Sequence, residues 1–127
     1  MSKVIINSKV YSSNEKETLK EVKGILKDNK ISYFYDEVKV NINILKDKVF
    51  LQRESTNMKL NLEFQLNKTL KTNYFLKDLN LEFIVETKTK ILDIKNESIK
   101  IEYDLFINDE FSDSFTYILE WRDLKWI

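Results

Sequence analysis

Residues 58–66 read Met-Lys-Leu-Asn-Leu-Glu-Phe-Gln-Leu, an unbroken alternation of apolar and polar side chains. Because successive side chains of a β-strand point to opposite faces, this pattern predicts a strand with one buried face and one face in water. Strands of that kind are typical of antiparallel sheets. The same period recurs along most of the chain, in residues 38–44, 49–53, 81–91, 99–107 and 115–121.

Short polar segments separate the alternating stretches, and each is a candidate turn. Gly24 is the one glycine of the chain, so Asn and Asp must supply the left-handed backbone conformations that tight turns need. Consecutive strands joined by such turns form a meander, which closes most simply into an up-and-down barrel without sheet edges. The sequence therefore predicts an all-β fold, an antiparallel meander β-barrel of about eight to ten strands, in a single domain over residues 1–127.

The composition excludes many kinds of catalytic site. The chain has no histidine and no cysteine, which removes Ser-His-Asp catalysis, thiol nucleophiles and the usual ligands of zinc and haem. One glycine is too few for a P-loop or a dinucleotide-binding fingerprint. The acidic pairs Asp36-Glu37 and Glu82 with Glu86 lie at a turn or on a wet face, without the spacing of a calcium loop. We expect a protein that is not an enzyme and that uses no metal or other cofactor.

The charges are balanced, with 21 Lys and Arg against 21 Asp and Glu, for a formal net charge of zero. A nucleic-acid-binding protein would show a basic excess or a clustered basic face, whereas here the signs alternate along the chain. The N-terminal apolar run, residues 4–6, is too short for a signal peptide, and no stretch approaches transmembrane length. We therefore expect a cytoplasmic protein that binds neither nucleic acid nor a membrane.

Residues 14–30 break the period-two pattern. Leu19, Val22 and Leu26 fall at helical spacing with charged residues between them, which taken alone favours an amphipathic helix. As a strand, the segment would place Val22, Gly24 and Leu26 on one face, a poorer apolar pattern.

Several short motifs follow one another in a recognisable order. They are Glu17, Glu21 and Gly24, then Tyr35-Asp36-Glu37, residues 49–53 ending in Arg53, residues 60–64, Tyr74, Thr87-Lys88-Thr89 and residues 99–105. This order resembles the YwiB-like family, a set of uncharacterised bacterial barrels of the calycin and lipocalin type, over residues 4–122. The resemblance implies that residues 15–27 form a strand with a bend at Gly24, and it implies no particular activity.

Arg53 is the most unusual residue of the predicted barrel, because it shares the inward face of its strand with Val49 and Leu51. A charge inside a barrel needs a counter-charge or a bound anion. Arg53 either holds the carboxylate or phosphate of a ligand, or it lies at the strand end, where it reaches water or pairs with Glu37 to close one mouth.

Hydroxyl side chains also fall on the predicted inward faces. They would suit a small amphipathic ligand, and they would equally serve as core filling. These residues are Tyr33, Tyr35, Tyr103, Tyr117, Thr87 and Thr89. The first hypothesis is a barrel that binds a small amphipathic or anionic ligand, with a site formed by Arg53, Tyr33, Tyr35, Glu37, Thr87 and Tyr103.

The alternative is a non-catalytic interaction or structural module with a filled interior. It would use the outer surface and the C-terminal tail, residues 120–127, in which Trp126 either anchors a partner or covers a mouth of the barrel. A second copy of the chain, giving a homodimer, is one such partner.

Overall fold

Residues 1–124 are described by a computed structural model, and they form ten β-strands and no helix long and apolar enough to cross a membrane. The strands are β1 (Ser2–Ser12), β2 (Lys16–Lys27), β3 (Lys30–Tyr35), β4 (Val38–Ile44), β5 (Lys48–Glu54), β6 (Met58–Gln65), β7 (Thr69–Leu76), β8 (Leu81–Lys95), β9 (Ser98–Ile107) and β10 (Glu110–Asp123). The predicted Trp126 contact lies outside the described residues.

The strands close into a barrel in the order β1-β10-β9-β8-β7-β6-β5-β4-β3-β2, and every neighbouring pair is antiparallel. β1 closes the ring, because it pairs with β2 on one side and with β10 on the other, from Val4 opposite Asp123 to Ser12 opposite Phe115. The predicted all-β antiparallel meander barrel is confirmed, with a strand number at the upper end of the expected range.

The ambiguous segment is a strand, β2, so the local helical pattern was misleading and the family resemblance was right. Long-range pairing overrides the local preference, because β2 is hydrogen-bonded to β1 along its length and to β3 at its end. The predicted bend does not lie at Gly24. It is a β-bulge at Glu21, where φ is 55° and the backbone N–H donates to Asn7 Oδ1 over 3.1 Å.

Gly24 serves close packing rather than a turn, since its φ is not positive. A Cβ at this position would collide with Ile6 Cδ1 and would lie 2.8 Å from the carbonyl oxygen of Ser32 on the next strand. Ile6 is fully buried, and the Ser32 carbonyl belongs to the backbone of β3, so neither neighbour can move away cheaply.

The turns use the residues that the sequence predicts. Left-handed backbone conformations occur mainly at Asn and Asp, and the tight hairpins Asp36-Glu37 and Asn108-Asp109 have positive φ at both positions, as a type I′ turn requires. Glu37 and Glu21 are the departures from that rule among residues 1–124.

One end of the barrel is filled by aliphatic side chains and one phenylalanine, all exposed by 1% or less. They are Val4, Ile6, Ile31, Ile42, Val49, Phe64, Ile99, Ile101 and Leu119. Their alternation along the strands is the predicted one, and a second β-bulge interrupts it in β8 between Thr89 and Ile91. The bulge turns Ile91 outward, where it is 41% exposed, and brings Leu92 and Ile94 to the core instead. Uninterrupted alternation over residues 81–91 would place Ile91 on the same inward face as Thr87 and Thr89, and this expectation was wrong.

We expect Gly24→Ala to lower the free energy of unfolding by about 1–3 kcal/mol, the usual cost of overpacking a close-packed interior. Urea unfolding measures the change. Lys23→Ala, on the exposed neighbour in β2, is the matched control and should stay within about 0.5 kcal/mol of the wild type. A Gly24→Ala protein as stable as that control would contradict the close approach of β1, β2 and β3.

Candidate functional site

The other end of the barrel interior is hollow. A partly open cavity of about 610 Å³ lies beside the turns that join β1 to β2 and β3 to β4. Its walls are mostly apolar, and its polar side chains include Arg53 and five tyrosines. The aliphatic lining comprises Val10, Leu19, Val38, Val40, Leu51, Leu60, Leu62 and Leu105.

Along the inward faces of four strands the side chains change from aliphatic to polar, and this change creates the cavity. In β3, Ile31 fills the packed end and Tyr33 follows in the cavity, and in β5 Val49 is likewise followed by Leu51 and Arg53. In β9 and β10 the same step leads from aliphatic residues to Tyr103 and to Tyr117. Because inward side chains alternate with outward ones, each strand delivers its polar residue to the same level of the lumen.

Arg53 lies half-buried in the cavity wall, with its Nε atom wholly buried and without a hydrogen-bond partner. Within residues 1–124 it forms no ion pair. The expected alternative pairing with Glu37 does not form, because the exposed Glu37 stands in the tight β3–β4 turn. The cavity therefore contains a cation that forms no ion pair with any of residues 1–124, although Glu15 and Glu17 belong to the same lining.

Three tyrosine hydroxyls surround this cation. Burial raises the pKa of Tyr33, Tyr103 and Tyr117, and the positive charge of Arg53 opposes the rise at each. The Tyr33 hydroxyl further raises the pKa of Tyr117. All three side chains are consequently neutral hydroxyls near pH 7, able to donate a hydrogen bond to an anion.

Tyr117 Oη is buried without a hydrogen bond of good geometry to any residue from 1 to 124, although the Tyr33 hydroxyl lies beside it. A buried hydroxyl without a partner is costly, so Tyr117 is a second unsatisfied polar group in the cavity. The residue was recognised in the sequence as inward-facing but was not included in the predicted site.

The structure brings four of the six predicted site residues to the cavity: Arg53, Tyr33, Tyr103 and, at its mouth, Tyr35. Glu37 does not line it. Thr87 does not line it either, although its side chain is buried as the alternation predicts.

The Thr87 hydroxyl donates instead to the carbonyl oxygen of Glu63. β6 pairs with β7 over only three residues, from Met58 to Leu60, and beyond that point β8 approaches β6. Thr87 thus bridges a gap between strands, which is why its hydroxyl is not available to a ligand.

Sequence reasoning missed the charged residues at the mouth, Glu15, Lys16 and Glu17. The bulge at Glu21 shifts the alternation of β2 by one residue, so Glu17 and Leu19 face the cavity while Val22 and Gly24 face the interior beyond the bulge. The sequence of β2 gives no signal of a bulge, because the residue with the left-handed backbone conformation is a glutamate.

Comparisons with known proteins assign the chain to a family. The family described as "Domain of unknown function (DUF1934)" matches residues 4–119. The chain belongs to this family. Its fold is similar to the structure described as "Crystal structure of ywiB protein from Bacillus subtilis", with a TM-score of 0.58, 19% identity, and coverage of 93% of this chain and 89% of that one. No curated protein matches the chain.

The expected YwiB-like relationship is therefore confirmed. At 19% identity the structural likeness extends to the barrel fold alone. The DUF1934 description assigns no function, and the cavity is the feature of this chain that points to one.

We expect the stability of this DUF1934 domain to fall as the pH rises above about 10, the ordinary tyrosine pKa. Tyr33, Tyr103 and Tyr117 hold their protons more tightly in the native state, so their contribution is complete below the unfolded-state pKa and is lost toward the folded-state values. Tyr117→Phe removes one such group and should make the fall less steep in urea unfolding at alkaline pH. Equal slopes for the two proteins would contradict the burial of that hydroxyl.

Proposed function

We propose that the barrel binds a small amphipathic molecule with an anionic group, held at Arg53 inside the cavity, and that it binds this ligand without transforming it. The observation that carries the proposal is the Arg53 guanidinium, which lines the cavity with a buried Nε that has no partner and with no ion pair within residues 1–124.

The energetics of a buried charge support an anionic ligand. Removing a guanidinium from water is costly unless a counter-charge and hydrogen bonds replace the lost hydration. Arg53 is half-buried, its Nε is wholly buried, and it forms no ion pair or hydrogen bond with any of residues 1–124, so an acid group of a ligand would supply both a counter-charge and hydrogen bonds. Arginine suits this role because its planar fork of N–H groups matches the two oxygens of a carboxylate.

The size and walls of the cavity support a small amphipathic molecule. Small-molecule sites are typically concave, of roughly 300–1,000 Å³, with mainly apolar walls and a few polar groups that fix the orientation of the ligand. The cavity of about 610 Å³ falls within this range, and its walls combine aliphatic side chains with Arg53 and tyrosine hydroxyls.

The side chains of the cavity favour binding over catalysis. Proton transfer near neutral pH needs a group whose pKa is close to 7, most often histidine. The chain has no histidine. The raised pKa values of Tyr33, Tyr103 and Tyr117 keep these groups protonated, which suits hydrogen-bond donation and not proton abstraction.

Arg53→Met tests the proposal with dodecanoate as the ligand and isothermal titration calorimetry as the measurement. Methionine keeps the apolar stem and removes the charge, so we expect dodecanoate to bind about 10- to 100-fold more weakly, the usual value of a charge-assisted hydrogen bond.

Arg122→Met is the matched control, because Arg122 is the other arginine of the chain and forms an exposed ion pair with Glu21 outside the cavity. Its loss should leave the affinity for dodecanoate unchanged. Equal weakening by the two substitutions, or none by either, would count against a ligand anchored at Arg53.

An interaction surface is the second candidate function, and one observation favours it. Phe106 and Phe111 pair on the outer face with ring centroids 5.8 Å apart, and Phe111 is 60% exposed. Ile84, which is half exposed, lies on the neighbouring strand β8. A water-exposed apolar cluster of this kind is a feature of binding surfaces.

Sedimentation velocity of the wild type and of Phe111→Ser tests self-association through that cluster. We expect a concentration-dependent dimer in the wild type and a monomer in the variant if the cluster contacts a second copy. If the wild type and the variant both sediment as monomers, self-association through Phe111 is ruled out.

A further inference from the structure

The cavity also indicates how its ligand is oriented and how many charges it carries, an inference that rests on the proposed function. We infer that the ligand is a single-chain monoanion whose acid group lies at the inner wall beside Arg53 and Tyr117, and whose apolar chain leaves through the mouth.

The buried polar atoms of the cavity that lack a partner lie at its inner wall. Arg53 Nε and Tyr117 Oη are both buried and without partners within residues 1–124, and Tyr33, Tyr103 and Tyr117 are only 5–6% exposed. Tyr35, at the mouth, is 37% exposed. Since buried donors gain most from a new acceptor, the acid group belongs at the inner level and not at the mouth.

Beneath this level the barrel is closed by buried side chains. Phe64, Ile101 and Leu119 are fully buried there, and the Phe64 ring packs against the Tyr103 ring at a centroid distance of 4.7 Å. A chain attached to an acid group at Arg53 therefore cannot continue inward. Its way out passes the apolar side chains of Val38, Leu60, Leu105 and Phe115 toward the mouth.

The inner wall offers a single positive charge to an acid group. Arg53 is the cation of the inner wall, and the charged residues in the lining at the mouth are Glu15, Lys16 and Glu17, which together carry one negative charge. A carboxylate balances one guanidinium. A phosphate monoester carries roughly 1.5–2 negative charges near neutral pH and would leave an excess of negative charge beside the single guanidinium.

An acid bound in this way has its head enclosed and its tail end near water. Chains longer than the cavity should therefore still bind, with the surplus length outside the mouth. Chemical groups attached to the tail end should be tolerated, whereas masking the acid should not.

A comparison of head groups tests the charge. We expect dodecanoate to bind at least about tenfold more tightly than its methyl ester, which loses the charge-assisted hydrogen bond, and more tightly than dodecyl phosphate. Tighter binding of dodecyl phosphate would overturn the monoanion, and equal binding of the ester would overturn the buried acid group.

Electron paramagnetic resonance of spin-labelled stearic acids tests the orientation. A nitroxide near the tail end should stay mobile and accessible to a water-soluble nickel chelate, while one near the carboxylate should be immobilised and protected. The reverse pattern would overturn the head-inward arrangement and leave the proposed function intact. Failure of every acid and ester to bind would instead refute the proposed function itself.

Tyr117→Phe tests the contribution of the inner wall to binding separately from that of the rest of the barrel. We expect it to weaken dodecanoate binding about three- to tenfold, with little effect on the methyl ester. Tyr74→Phe is the matched control, since Tyr74 packs against Phe83 and does not line the cavity, and it should bind dodecanoate as the wild type does. Equal affinities of the two variants for dodecanoate would contradict an acid group at Tyr117.

Discussion

The pairing of β1 with both β2 and β10 is the interaction on which the rest of the molecule depends, because it turns a meander into a closed ring. Closure gives all ten strands one shared interior, so every second side chain of each strand faces the same lumen. The bulge at Glu21 and the close approach at Gly24 both lie in β2, beside this closing strand, where they accommodate its path. A barrel of this size must then be filled by side chains or hold a cavity.

This barrel is filled by side chains at one end and holds a cavity at the other. The boundary between the two parts follows the order of residues within single strands. The step from Ile31 to Tyr33 in β3, and from Val49 to Arg53 in β5, takes the interior from a packed aliphatic end to a polar cavity. The packed end provides the stability on which the cavity relies, since an unpaired guanidinium and the unpaired Tyr117 hydroxyl are unfavourable by themselves. Their cost is the reason why we propose that the cavity binds an anionic molecule.

Strict alternation made the barrel and the inward position of Arg53 predictable from the sequence, because the period of a strand fixes which face each side chain occupies. It could not reveal the bulges, among them those at Glu21 and between Thr89 and Ile91, which reverse that parity and so change the positions of Glu17 and Ile91. Nor could it show that Thr87 bonds to the Glu63 carbonyl, since that contact depends on where β6 and β7 separate.

A crystal structure with a fatty acid that carries bromine on its terminal carbon tests the central claim most directly. We expect the carboxylate within hydrogen-bonding distance of the Arg53 guanidinium, and the anomalous signal of bromine at the mouth between β1 and β3. A lumen filled by protein side chains, with Arg53 turned outward to solvent and no bound acid, would contradict it.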